Sequence, residues 1–272
     1  MNKQGRNTSA LIHSNNTWKS WGGRKYEHLF FDLDNTLWDF DINARQAMQE
    51  TIDGLKLGNR LPGFDRFYHF YEELNSRLWE AYRKQEIRKP ELIRKRFADS
   101  LAHFGIPDID PVAMNELYLQ HMGQQTKLVD GARETLTYLK KQRYQMHIIT
   151  NGFKEVQLQK IQTCRLAPFF NGIFISEEVQ APKPDKHIFK HALMCSNAKK
   201  SKSLMIGDSW ETDILGAKQV GIDQVYFQKN NKKIIDPLIF PDTNNENNHK
   251  YSKHPIQKTQ IIENLSDLLR FL

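Results

Sequence analysis

Apolar residues in this chain follow two rhythms, and the switch between them predicts the architecture. Five short, nearly continuous apolar runs read as strands buried on both faces: His28–Leu33, Tyr144–Thr150, Gly172–Ser176, Ser203–Asp208 and Asp223–Phe227. Each is followed by a helical pattern or a turn, and after residue 130 their spacing is that of βαβ units. The prediction is an α/β fold with a doubly wound, parallel, Rossmann-like sheet. Between Asp39 and about Lys127 the period turns helical throughout, in Ile42–Leu57, Phe64–Tyr82, Pro90–Phe104 and Pro111–Met122, with breaks at Pro62-Gly63 and Gly105-Ile106-Pro107. An all-helical insertion, residues 40–127, is therefore expected directly after the first strand. The core would comprise 26–39 and 128–272 and end in a strand-like piece from Ile261 and a helix over Leu265–Leu272. The aromatics of the insertion (Phe64, Phe67, Tyr68, Phe70, Tyr71, Trp79 and Tyr82) read mainly as helix–helix core, with a few free to line a ligand pocket.

Composition sharpens this picture at the flanks. With 272 residues, 39% hydrophobic and 26% charged, the chain has ample length for a core. No apolar run approaches the ~20 residues of a membrane helix. The net charge of +7 suggests a polyanion partner until its location is considered. Residues 1–28 carry five Lys/Arg against one acid and residues 228–258 six Lys against three acids, leaving the middle close to neutral. We expect a flexible basic extension over 1–25, a polar loop insert over 229–258 and no dedicated nucleic-acid surface. The acid-free start up to Tyr26 leaves a transit peptide open as an alternative. Two cysteines, Cys164 and Cys195, form neither a disulfide framework nor a metal spacing, which points to a reducing, cytoplasmic setting.

Four polar constellations fall at strand ends. Asp32 and Asp34 follow the first strand as D-x-D-x-T with Thr36; two carboxylates there can share a hard cation while one attacks an electrophile and the other moves a proton. Thr150-Asn151-Gly152 ends the second strand and precedes a helix over Lys154–Arg165, a small anion cradle or an ordinary turn. Lys183 sits between Pro182 and Pro184, with Pro184 expected in the first turn of the next helix. Gly207-Asp208-Ser209-Trp210-Glu211-Thr212-Asp213 follows the fourth strand; a capping box from Asp208 to Glu211 competes with a functional reading. All four lie at the carboxyl edge, where open α/β sheets bind ligands.

In order, these residues resemble the four motifs of the haloacid dehalogenase-like hydrolases, from about Tyr26 to Phe227. The longer strings FDLDNTLWDF (Phe31–Phe40), ITNGFKEV (Ile149–Val156), SEEV (Ser176–Val179) and GDSWETDILG (Gly207–Gly216) are similar to the noncanonical pyrimidine 5′-nucleotidase branch. The resemblance implies that residues 40–127 form a helical cap, that Asp32 is the nucleophile and that Asp34 is the general acid and base. It implies Mg2+ held by the Asp32 and Asp208 carboxylates and the Asp34 carbonyl, and phosphate held by Thr150, Asn151 and Lys183, with Asp213 in support. It further implies a small phosphorylated substrate, a nucleoside monophosphate above all, and a monomer or homodimer. Phosphosugar and phosphoglycolate phosphatases, a phosphosugar mutase, a dehalogenase and a non-catalytic protein acting through basic tails are the rivals. Asp34 argues against the dehalogenase, since a halide leaving group needs no proton.

Overall fold

Phe30 points away from Leu29 and Phe31, and that alternation builds the molecule around its first strand. Leu29 and Phe31 join the larger apolar core, while Phe30 packs with Ile149, Met205, Ile188 and Phe189 on the opposite face. Both faces are thus covered, as a parallel sheet requires. The computed structural model describes residues 25–229 and 259–272. The expected basic extension and polar insert lie outside the described residues, except for Lys25 and Lys229.

Strands β1 (His28–Phe31), β2 (Gln145–Thr150), β3 (Gly172–Ile175), β4 (Ser203–Gly207), β5 (Asp223–Phe227) and β6 (Thr259–Ile262) form one sheet. Their order is β3-β2-β1-β4-β5-β6 and every pair is parallel. The strand-like piece expected from Ile261 is β6, which starts two residues earlier and pairs with β5. β1 stops at Phe31, two residues before the expected end, because the Leu33 carbonyl accepts from the N–H groups of both Leu37 and Trp38, each at 2.9 Å, and folds the chain into a turn. The closing helix over Leu265–Arg270 is 3-10 rather than α, opened by a reciprocal capping box between Asn264 and Asp267.

Helices α1 (Phe40–Gly54), α2 (Phe64–Arg83), α3 (Lys89–His103) and α4 (Pro111–Gln124) follow β1, each within three residues of the sequence expectation at either end. α1 packs on α4, α4 on α3 and α3 on α2, so the four bury their own core, including Phe67, Tyr71, Phe97 and Met114. Fully burying each such side chain contributes roughly 1.5–3 kcal/mol. Where this block leaves and rejoins the sheet, the two connecting segments are stitched together. Val129 N–H donates to Leu37 O at 3.0 Å, Asp39 N–H to Lys127 O at 3.1 Å, and the Asn43 side chain takes both backbone groups of Lys127.

Beyond α5 (Ala132–Lys141), the remaining helices are α6 (Lys154–Thr163), α7 (Ser176–Val179), α8 (Lys186–Cys195) and α9 (Gly216–Val220). Asp185 caps α8 through the His187 N–H, so Pro184 stands just outside the helix and not in its first turn.

Candidate active site

Strand register brings the motif residues level. Phe31 pairs with Ile148 of β2 and Ile206 of β4, so the chain after β1 emerges between Thr150 and Asp208. Asp32 continues the alignment by donating its N–H to Ile206 O at 2.9 Å.

Lys183 is the hub of one side of the site. Its Nζ donates to Asp32 Oδ1 at 2.5 Å, Asp213 Oδ1 at 2.6 Å and Ile149 O at 2.9 Å. Only 2% of its side chain is exposed. Burial alone would lower its pKa, but the Asp213 and Asp32 carboxylates win and hold it above the usual lysine value. Asn151 fixes the loop that carries it: its amide donates to Lys183 O at 3.0 Å while its carbonyl accepts the Lys183 N–H at 2.8 Å. The Asn151 side chain is thus committed to the Lys183 backbone.

Asp213 is held from a second direction by the Ser209 N–H, at 3.1 Å from Oδ2. Gly207 makes room for it, since a Cβ there would run into the Asp213 carboxylate. The capping box from Asp208 to Glu211, weighed above as the competing reading, gives way to a cap one residue later. Ser209 is the cap, accepting from the Thr212 N–H at 3.3 Å, and it opens a π-helical turn over Trp210–Leu215. On the β1 side, the fully buried Thr36 hydroxyl donates to Asp208 at 3.3 Å.

Carboxylate oxygens of Asp32, Asp208 and Asp213 lie within 4.8 Å of one another. Burial and the charges of Asp213, Asp208 and Asp34 push the Asp32 carboxyl well above its ordinary pKa, against the pull of Lys183. One ammonium against this many carboxylates leaves excess negative charge, and all the donors are hard oxygens. The site therefore fits a small divalent cation such as Mg2+. Asp213 is already spent on Lys183 and Ser209, so Asp32 and Asp208 are the carboxylates placed for ligation.

Asp34 stands on the other side, and here the structure adds two residues the sequence reading did not single out. Gln157 Nε2 donates to Asp34 Oδ2 at 2.9 Å and lies 2.6 Å from Thr150 Oγ1; Lys160 Nζ donates to Asp34 Oδ1 at 2.7 Å. Both come from α6, three residues apart, and are almost completely buried. Gly152 lets Gln157 in, since a Cβ there would collide with its side chain. Their sequence signal is register: Gln157 and Lys160 occupy the same inward-facing stripe as Ile161 and Cys164.

A cavity of about 500 Å³ runs from Asp32, Asp34 and Asp208 to the helical block, where Tyr68, Tyr71, Asn75, Trp79, Arg83 and Arg96 line it. Three of the seven aromatics discussed above thus face the cavity. Trp79 also meets Phe153, beside the phosphate cradle, at 4.9 Å between ring centroids. Lys89 of α3 pairs with Glu155 and Glu177 at 3.0 and 2.7 Å, tying the block to the sheet side.

The family described as haloacid dehalogenase-like hydrolase matches residues 26–221. The chain is 32% identical over 203 residues to pyrimidine 5′-nucleotidase PynA of Streptococcus pneumoniae, covering 74% of this chain and 84% of that protein. It is 31% identical over 205 residues to the glyceraldehyde 3-phosphate phosphatase of Pyrococcus furiosus, covering 75% and 82%. The crystal structure of magnesium-bound HAD-hydrolase YfnB from Bacillus subtilis superposes with a TM-score of 0.72 at 24% identity, over 91% of this chain and 98% of that one, and shares the fold.

Proposed function

This chain belongs to the haloacid dehalogenase-like hydrolases and has phosphatases among its relatives; on that footing, we propose that it is a Mg2+-dependent phosphomonoesterase acting on nucleoside 5′-monophosphates, pyrimidine ones in particular. The observation that carries the substrate reading is the cavity. Its volume of about 500 Å³ has room for a nucleotide, and it leads from Asp32 to a wall bearing Tyr68, Tyr71 and Trp79, rings on which a base can stack. Identity alone does not choose, since the nucleotidase and the sugar-phosphate phosphatase differ by one percentage point. In this reading α1–α4 act as a cap that supplies the leaving-group side of the site.

The chemistry follows from charge and reach. Asp32 attacks phosphorus and displaces the ester oxygen, giving an aspartyl-phosphate. Asp34 delivers a proton to the departing oxygen, then takes one from the water that cleaves the acyl phosphate. Lys183 and the Thr150 hydroxyl bind the non-bridging oxygens, where negative charge must be offset during transfer. Asn151 keeps Lys183 in place through its backbone, and Asp213 keeps its ammonium directed at the site. Mg2+, held by Asp32, Asp208 and the Asp34 carbonyl, would neutralise phosphate charge and align the phosphoryl group with the nucleophile.

Phosphate release from a panel of nucleoside monophosphates, sugar phosphates and phosphoglycolate, with Asp32→Asn as the blank, tests the reading. The expected result is a preference for pyrimidine monophosphates that vanishes in the variant. A preference for glyceraldehyde 3-phosphate or phosphoglycolate overturns the substrate and keeps the mechanism.

A further inference from the structure

α6 places two buried polar side chains where each carries a stability cost. Lys160 is 2% exposed, and its carboxylate partner, Asp34, is 27% exposed at its side chain. Gln157 is 1% exposed and its Oε1 has no hydrogen-bond partner among the described residues. A buried ammonium and an unpaired buried carbonyl both oppose folding, yet the donors of both side chains converge on one carboxylate. Lys160 is anchored independently of that carboxylate. Its Nζ lies 4.1 Å from the centre of the Trp38 ring, and Trp38 is fully buried in the turn that follows β1. Gln157 is anchored by Thr150 Oγ1.

We propose that Gln157 and Lys160 are positioning residues that hold the two Asp34 oxygens in the orientation needed for proton transfer, with Gln157 coupling that orientation to the phosphate-binding Thr150. This deepens the reading of Asp34 as general acid and base and rests on it. Each Asp34 oxygen has its own donor, so the carboxylate plane is fixed by two contacts, at 2.9 and 2.7 Å, and not by one pivot. The hydrogen bonds of the two side chains run to Asp34 and Thr150. Loss of Lys160 therefore falls on proton transfer and leaves phosphoryl attack in place, whereas loss of Gln157 also slackens Thr150. The Thr150 link means that Gln157 also senses where the phosphate cradle sits.

The test compares leaving groups. Uridine 5′-monophosphate needs its leaving oxygen protonated, whereas p-nitrophenyl phosphate needs little such help. Lys160→Met is expected to lower kcat on the nucleotide roughly 30-fold or more, within the range that acid–base catalysis supplies. On p-nitrophenyl phosphate the loss should be only a few-fold, and Lys160→Arg should recover much of the nucleotide rate. Gln157→Leu should show the same split more weakly, and it serves as the second variant should Lys160→Met fold poorly, with thermal melting checked for each. Equal losses on both substrates, or no loss on either, overturn the proposal. Asp34→Asn separates the two levels. If it loses both substrates equally, the acid–base reading itself fails; if it shows the split and the α6 variants do not, only the positioning role fails.

Discussion

The two flanks of the D-x-D segment each bury a lysine against an aspartate, but they do so by different means. On the β4 side, Lys183 is shared by Asp32 and Asp213, side chains 9% and 1% exposed, and its loop is pinned by Asn151. On the α6 side, Lys160 has one carboxylate, more exposed, and an aromatic ring beneath it. In the proposed mechanism the first arrangement fixes charge around the phosphoryl group. The second keeps one carboxylate oriented while leaving it open to the cavity. A single strand end thus separates an electrostatic task, which favours deep burial and shared charge, from a proton-moving task, which needs an accessible group.

The largest effect that sharpens this contrast is at the nucleophile: Asp32→Asn should lower phosphate release roughly 10³-fold or more on every substrate, since it removes the step both flanks serve. Next comes stability. Lys183→Met strands two buried carboxylates and should cost about 3–5 kcal/mol in denaturant unfolding. Lys160→Met should change stability by no more than about 1 kcal/mol in either direction, because it removes a buried ammonium while Asp34 can rehydrate; equal costs would erase the distinction between the flanks. Gly207→Ala should cost about 1–3 kcal/mol by crowding Asp213, while shifting its carboxylate off Lys183. Near neutral pH the smallest effect comes from a histidine pair on the same strands. His147, buried beside His28, has its pKa held down from 6.5 to about 4. Below pH 6.5 the unfolded chain takes up a proton that the folded chain refuses, so stability is full above that pH and falls as pH drops toward 4. Melting temperatures across this window should decline, and less steeply in His147→Gln.

The same contrast explains what could be read from the sequence. Motif residues at strand ends were legible because the backbone alone sets their place: once β1, β2 and β4 are parallel and in register, Asp32, Thr150 and Asp208 must meet. The limits of the helices were legible from their period. Gln157 and Lys160 were not singled out, because their roles come from a side-chain direction on α6 combined with a turn more than a hundred residues earlier. Polar residues in a core-facing stripe were the available sign, a local breach of patterning of the kind that gathers at functional sites. The capping role of Ser209 escaped because the π-helical turn shifts the cap by one residue from Asp208. The cavity wall was legible only as an aromatic stripe, since helical spacing does not say which members turn inward.

The place of β1 in the chain also sets when the enzyme becomes an enzyme. The nucleophile strand is made early, but His28 of β1 pairs with Gln145 of β2 and Ser203 of β4, after the whole helical block has been synthesised. The Lys183–Asp32 contact joins residues 151 apart, and Thr36–Asp208 joins residues 172 apart. Closing such distant pairs is entropically slow, whereas α1–α4 can condense locally while they wait. During translation α1–α4 can thus gather before the strand ends they face have met. A chain stalled short of Asp213 holds a complete first motif and no carboxylate partner for Lys183 beyond it, so the charge balance of the site is set only once the sheet has closed.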